Sequence, residues 1–196
     1  MGQYFTNDNN LKSEYRNIIY NYKDYHFTFL SDLGVFSKDR VDYGSKLLVE
    51  TYLEYGKKNV TVLDVGCGYG FIGITISKIM NSYVDMIDVN KRAVHLSNIN
   101  IKNIGCNANA FVSDVYEKID KKYDVIISNP PIRAGKSIYM SIIENSINHL
   151  KNDGEFWFVM NKDQGAKSTI EKIKNVYDVT VLKKDKGFFV ILCKKR

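Results

Sequence analysis

At 196 residues the chain suits a single domain, residues 1–196, large enough to bury about 70% of its unfolded surface. Its 44% hydrophobic and 26% charged residues are ordinary for a globular protein. No apolar run approaches the ~20 residues of a membrane-spanning helix, and the first thirty residues lack a basic-then-apolar signal pattern, so no membrane partner and a cytoplasmic location are expected. Gly2 and Thr6 match a short myristoylation pattern that nothing nearby supports. Three cysteines, Cys67, Cys106 and Cys193, form no CxxC pair, and His26, His95 and His149 are scattered. Neither a disulfide framework nor a metal site is expected. The net charge of +6 is uneven: six basic residues against Asp185 give residues 183–196 a charge of +5. Such a pole attracts phosphate; its plain alternative is a lysine-rich edge strand that resists aggregation.

In chain order, residues 1–40 form an extension before the core at 41–196, and aromatic alternation at Phe27 and Phe29 predicts an extra strand or hairpin over a sheet. A helical apolar pattern covers 47–55, and the β-branched run at 60–65 reads as a buried strand ending in glycines. A helix over 71–80 follows, then a strand at 84–87 and a helix capped by Asn90 and running to about 103. Strands at 111–112 and 124–128 come next, then a helix over 136–150 stopped by Asn152-Asp153-Gly154. A strand at 156–160, a helix over 166–176 and strands at 179–182 and 188–192 joined by a tight Lys-Asp-Lys-Gly turn complete the chain. Strands alternating with crossover helices imply an α/β, mostly parallel seven-stranded sheet covered on both faces. The last turn is short enough only for an antiparallel pair.

Chemistry concentrates at the strand ends. Asp64-Val65-Gly66-Cys67-Gly68-Tyr69-Gly70 follows the first core strand, where glycines let backbone approach a ligand in the crevice such sheets use for binding. Asp64 repels a pyrophosphate but not an ammonium group, which disfavours a nicotinamide-dependent oxidoreductase. Asp88, about 20 residues past the glycines, is placed to accept both hydroxyls of a ribose. Asp114, in Ser113-Asp114-Val115, is placed to accept from an adenine amine. Asn129-Pro130-Pro131-Ile132 holds both prolines of the chain. They stiffen the loop, so that the Asn129 amide oxygen and the Pro130 carbonyl can accept hydrogen bonds from a planar –NH2 group and free its lone pair for attack.

Over residues 33–192 the chain resembles the small-subunit ribosomal RNA guanine-N2 methyltransferases, and especially their single-domain relatives. The resemblance rests on Gly34-Val35-Phe36-Ser37 with Val41-Asp42-Tyr43-Gly44-Ser45-Lys46-Leu47-Leu48, on 64–70, on Asn129-Pro130-Pro131-Ile132-Arg133-Ala134-Gly135-Lys136, and on Gln164-Gly165-Ala166-Lys167-Ser168. It implies the Rossmann-like class I methyltransferase fold, S-adenosylmethionine as cofactor, and transfer of methyl to an exocyclic amine of RNA. By position, Asp64, Gly66, Cys67, Gly68, Gly70, Asp88, Asp114 and Val115 would hold the cofactor, with Gly44 and Ser45 near its methionine end. Asn129 and Pro130 would act on the amine, with Pro131, Ile132, Arg133 and Phe36 around the base. Two departures matter. The second, amino-terminal domain of better-known members is missing here, so RNA recognition must use other surfaces or a second copy, as monomer or homodimer. Ile132 stands where many amine methyltransferases stack Tyr or Phe on the base, and Phe36 is an aromatic that can substitute. The Asn-Pro-Pro motif also serves adenine-N6 and protein glutamine-N5 enzymes, and a non-catalytic RNA-binding module is a further alternative.

Overall fold

The computed structural model describes residues 12–195; the Gly2/Thr6 pattern and Arg196 lie outside the described residues. In chain order the elements are β1 (Arg16–Tyr22), β2 (Tyr25–Ser31), α1 (Tyr43–Tyr55), β3 (Thr61–Val65), α2 (Phe71–Met80), β4 (Tyr83–Asp88), α3 (Lys91–Ile104), β5 (Ala108–Val112), β6 (Tyr123–Ser128), α4 (Lys136–Asn145), β7 (Leu150–Asn161), α5 (Ala166–Ile173), β8 (Tyr177–Asp185) and β9 (Phe188–Lys195). Seven strands form one sheet in the order β5-β4-β3-β6-β7-β9-β8. Neighbours from β5 to β7 run parallel, and β9 is antiparallel to both β7 and β8. This is the mostly parallel sheet with a closing hairpin that the sequence predicts.

Alternation along each strand feeds two cores. Val62, Val84, Val125 and Ile127 face α1, α2 and α3, while Leu63, Val65, Ile126, Phe156 and Phe158 face α4 and α5. A side-chain period of two on a sheet covered on both faces explains why these strands are apolar throughout. The turn between β8 and β9 has positive φ at Lys186 (44°) and Gly187 (83°), the two-residue geometry whose twist matches an antiparallel pair.

The amino-terminal hairpin exists but lies elsewhere than over the sheet. Strands β1 and β2 form a separate two-stranded sheet whose inward residues Ile18, Tyr20, Phe27 and Phe29 are buried against the helical layer. Phe71 of α2 sits edge-on to Tyr20 (4.9 Å) and to Phe29 (5.6 Å). The buried Asn100 amide of α3 ties the hairpin down, accepting from Leu30 N (2.7 Å) and donating to Leu30 O (2.9 Å) and Tyr69 O (2.8 Å). A buried amide with its groups matched in this way fixes one docking position.

A second correction concerns the helix expected over 136–150. It ends at Asn145 and passes through a 3-10 turn, Ser146–His149, into β7, which begins at Leu150. Leu150 is buried and pairs with Tyr123, and the register slips between that pair and Val125–Glu155. Asn152-Asp153-Gly154 therefore shapes an irregularity inside a long strand rather than stopping a helix. Burial of Leu150 against Tyr123 outweighs the local helical spacing. Among the described residues no helix is long and apolar enough to cross a membrane.

Candidate active site

The carboxyl ends of β5, β4, β3 and β6 stand side by side, and the strand order reverses between β3 and β6, where open α/β sheets bind ligands. A cavity of about 440 Å³ opens there, within the range of small-molecule sites.

The loop after β3 forms its floor. Gly66 N and Cys67 N donate to Ile87 O at 2.8 and 3.0 Å, which fastens the loop to the end of β4. Gly66 (φ 77°) and Gly68 (φ 58°) line the cavity, and a Cβ built on either meets nothing within 4 Å, so bare backbone faces open space. Asp88 closes this end. Its carboxylate accepts from Gly68 N and Asn90 N, both at 2.9 Å, and retains acceptor capacity toward the cavity it lines. Burial pushes the Asp88 carboxyl above the usual range, and the backbone N–H bonds from Asn90, Gly68 and Val89 oppose that shift. Asp114 is exposed on the cavity wall beside Val115. Val115 is a β-branched residue at φ 45°, a costly conformation of the sort that gathers at functional sites; Ser113 Oγ donates to its carbonyl at 3.0 Å.

Three of the expected cofactor residues lie under the loop rather than on the cavity wall. Asp64 is fully buried, and its Oδ2 accepts from Gly73 N at 2.9 Å, while its Oδ1 has no partner among the described residues. Burial, with a contribution from the nearby Asp88 charge, pushes its carboxyl up to about 7 against the Gly73 hydrogen bond. Cys67 is buried and its thiol is pushed well up by burial, which leaves it unreactive. Gly70 precedes α2 at φ 95°, and a Cβ there would meet Ile74 Cδ1 at 2.7 Å.

The opposite wall is the loop after β6. Asn129 lines the cavity, and its Nδ2 donates to Asp42 Oδ2 (2.9 Å) and to Ser45 Oγ (2.8 Å). Both amide N–H groups are thereby used, which leaves Oδ1 as an acceptor. Asp42 is also the N-cap of α1, accepting from Ser45 N at 2.8 Å. Gly44 and Ser45 thus sit in the first turn of α1, a layer behind Asn129. Pro130 is buried and its carbonyl accepts from Ile132 N at 2.9 Å, across a tight turn at Pro131 (φ −76°, ψ 80°). One lone pair of that carbonyl remains. Pro131, Ile132, Arg133 and Phe36 all line the cavity, with Phe36 37% exposed.

Asp42 is the functional-site residue absent from the sequence expectations, although an aspartate just before a helical pattern is an N-cap signal. The loop that carries Phe36 is fixed by Asn90, whose Nδ2 donates to Gly34 O at 2.9 Å while its Oδ1 caps α3. Bare glycine backbone, a strand-end carboxylate with spare acceptor capacity, a second acid and apolar walls at Ile87, Ala93 and Ile142 fit a nucleoside-bearing cofactor.

These features define the cofactor crevice of a class I methyltransferase. The chain matches the model of the methyltransferase small domain family over residues 26–192 and belongs to that family, whose members are S-adenosylmethionine-dependent methyltransferases. It is 43% identical to the Bacillus subtilis protein YbxB, itself uncharacterised, over 98% of both chains. It is 34% identical to ribosomal RNA small subunit methyltransferase C of Buchnera aphidicola over 80% of this chain and 47% of that one. Among solved structures it superposes with a TM-score of 0.84 and 25% identity on the 16S rRNA N2 methyltransferase RsmC of T. thermophilus, determined with AdoMet and guanosine, covering 95% of this chain and 52% of that one. The chain therefore spans about half the length of the ribosomal RNA methyltransferases it matches.

Proposed function

We propose that this methyltransferase modifies the exocyclic N2 amine of a guanine in small-subunit ribosomal RNA, in the cytoplasm. The observation that carries this reading is the Asn129 amide, whose two N–H groups are committed to Asp42 and Ser45 so that an acceptor oxygen is left for the cavity. An acceptor fixed in that way, with the Pro130 carbonyl beside it, suits a planar –NH2 donor. The relatives named as ribosomal RNA methyltransferases support RNA as the carrier of that amine.

In this reading Asp88 accepts from the cofactor's ribose, Asp114 from its adenine, and Gly66 and Gly68 give it backbone to lie on. Asp64 acts from beneath the loop through Gly73, and Gly44 and Ser45 back the methionine end. Bound there, S-adenosylmethionine supplies an electrophilic methyl on a positively charged sulfur. Asn129 and Pro130 then accept the two N–H groups of the target, turning the nitrogen lone pair out of conjugation toward that methyl. With the cofactor bound, transfer of its methyl to that nitrogen would leave a neutral thioether, and one N–H proton would pass to solvent. Ile132 and Phe36 flank the base, and Arg133 meets the strand at the mouth. Positioning of this sort supplies roughly 7–11 kcal/mol, so no general base is required.

Nucleoside mass spectrometry of ribosomal RNA from cells with and without the protein tests the proposal. Loss of N2-methylguanosine from the small-subunit RNA is expected; loss of N6-methyladenosine reassigns the base, and an unchanged profile overturns the assignment to RNA.

Substitutions at two positions probe the roles. Asp88→Ala leaves ribose donors facing an apolar gap, and a hydrogen bond to a charged group contributes about 1.5–3 kcal/mol. Calorimetry should therefore give roughly a ten- to hundredfold weaker S-adenosylmethionine affinity with the fold intact, and an unchanged affinity removes Asp88 from the site. Asp42 is a positioning residue. Asp42→Ser keeps a good helix cap but takes the carboxylate away from Asn129. Its turnover should fall about tenfold at unchanged KM for RNA, as for removal of one charge-assisted bond. Asp42→Asn, which keeps an acceptor oxygen, should recover part of it; equal turnover in all three proteins argues against the orienting role.

A further inference from the structure

The carboxy-terminal hairpin belongs to the far edge of the sheet, but its turn does not stay there. The Tyr43 hydroxyl donates to the Asp185 carboxylate, and the Tyr43 ring lies 5.7 Å from that of Phe188. A Cβ on Gly44 would come within 3.0 Å of Phe188 Cε1, so the absence of a side chain at Gly44 lets the hairpin lie flat on the first turn of α1. On the other side Gly187 O accepts from Lys162 N at 2.8 Å, in the short segment that leads to Gln164 on the cavity wall. The turn is thus fastened at two points, one residue from Asp42 and two from Gln164, both of which line the cavity.

Two of its charges are held as well. Lys186 Nζ lies 4.7 Å over the Tyr43 ring, and Lys184 Nζ 4.8 Å over Phe189, arrangements that hold a cation without neutralising it. Asp185, the acid of the turn, is occupied by Tyr43. Among the described residues no ion pair engages Lys183, Lys184, Lys186 or Lys162. By contrast, Lys57 and Lys194 share Glu155 at the other end of the sheet, and Lys121 pairs with Asp85. Unneutralised, pre-positioned cations beside a cavity mouth form an electrostatic footprint for a polyanion.

We infer that the β8–β9 turn is the wall that holds the RNA backbone next to the target base, with Lys183, Lys184 and Lys186 on its phosphates. This rests on the reading of the cavity as an RNA-modifying site and names the surface that positions the strand. Tyr43 couples the two, because it adjoins Asp42 and carries the turn. The arrangement gives a chain about half the length of its ribosomal RNA methyltransferase relatives an RNA-docking surface within its own catalytic unit.

For every phosphate that the protein no longer neutralises, the dependence of log affinity on log salt should flatten by about 0.7 to 0.9. Naked small-subunit ribosomal RNA is titrated at several salt concentrations against the wild type, against the triple variant Lys183→Gln, Lys184→Gln, Lys186→Gln, and against a control with the same charge change, Lys58→Gln, Lys118→Gln, Lys122→Gln. The turn variant should lose about two to three units of slope and bind more weakly, while the control stays within about one unit. Cofactor affinity and melting temperature of the turn variant should match the wild type, which shows that it is folded. Parallel slopes for wild type and turn variant overturn the inference, and so does an equal reduction in both variants, which is an effect of net charge alone. A wild type whose RNA binding shows no salt dependence overturns the RNA reading itself.

Discussion

Replacing Asn129 by Ala is expected to slow methyl transfer at least a hundredfold while S-adenosylmethionine affinity stays near that of the wild type. The reason is geometric. Asn129 spends its two N–H donors on Asp42 (2.9 Å) and Ser45 (2.8 Å), so its remaining oxygen is left as the acceptor that the proposed reading assigns to an N–H of the target amine. That bond strengthens as the nitrogen becomes positive in the transition state, and removing an interaction of this kind lowers kcat with little effect on ground-state binding. Removal of one such preorganised group costs about a hundred- to a thousandfold elsewhere. The fold should tolerate the change, because Asp42 still caps α1 through Ser45 N. A reversal of the pair sharpens the test. Asn129→Asp alone sets a carboxylate against Asp42, whereas the same change combined with Asp42→Asn restores a donor and an acceptor with their roles exchanged. Single-turnover rates should therefore be higher in the double variant than in Asn129→Asp, a coupling that independent sites do not give. An Asn129→Ala enzyme with near-normal turnover places the chemistry elsewhere.

How much of this is legible in the sequence depends on the range of the signal. Strand ends announce themselves locally: glycines after 60–65, and both prolines of the chain after 124–128, each change the backbone where they stand. Gly66 and Gly68 on the floor of the cavity and residues 129–133 on the wall after β6 are therefore readable from the sequence. What cannot be read is what joins distant segments. The bond from Asn129 to Asp42 spans 87 positions and that from Tyr43 to Asp185 spans 142, and no periodicity carries such pairings. In sequence Asp64 reads as an acid facing a ligand because the loop follows it, but the strand points its side chain under that loop, toward Gly73. The helix expected to reach 150 fails for a related reason. Its apolar spacing continues past Asn145, yet Leu150 finds its partner in Tyr123 of another strand, and tertiary burial overrides a local pattern.

The buried Asp64 makes the stability of the ligand-free protein depend on pH in a direction opposite to that of most carboxylates. Burial raises its carboxyl from 3.8 to about 7, so between those values the folded protein binds a proton that the unfolded chain does not. Linkage then requires stability to fall as pH rises through this window and to level off above about 7. At roughly 1.4 kcal/mol per pH unit the ionised carboxylate costs the fold on the order of 4 kcal/mol, fully felt above about pH 7, growing through the window between and absent only below the unfolded value of 3.8. An amide at this position keeps an oxygen for Gly73 N and removes the charge, at the expense of an unpartnered amine that matches the unpartnered hydroxyl of the protonated acid. Asp64→Asn should therefore melt only about 2–4 °C above the wild type near pH 4.5 and roughly 8–16 °C above it at pH 8.5, given about 2–4 °C per kcal/mol for a chain of this size. Calorimetric melting of both proteins across that range decides it. A difference that does not vary with pH means that Asp64 is not ionising at this depth. The same variant should bind S-adenosylmethionine more weakly, because a buried negative charge that destabilises the empty fold is repaid once a sulfonium and an ammonium lie above the loop. A protein that gains stability and loses cofactor affinity through one atom's charge is the expected signature of an acid kept for binding rather than for folding.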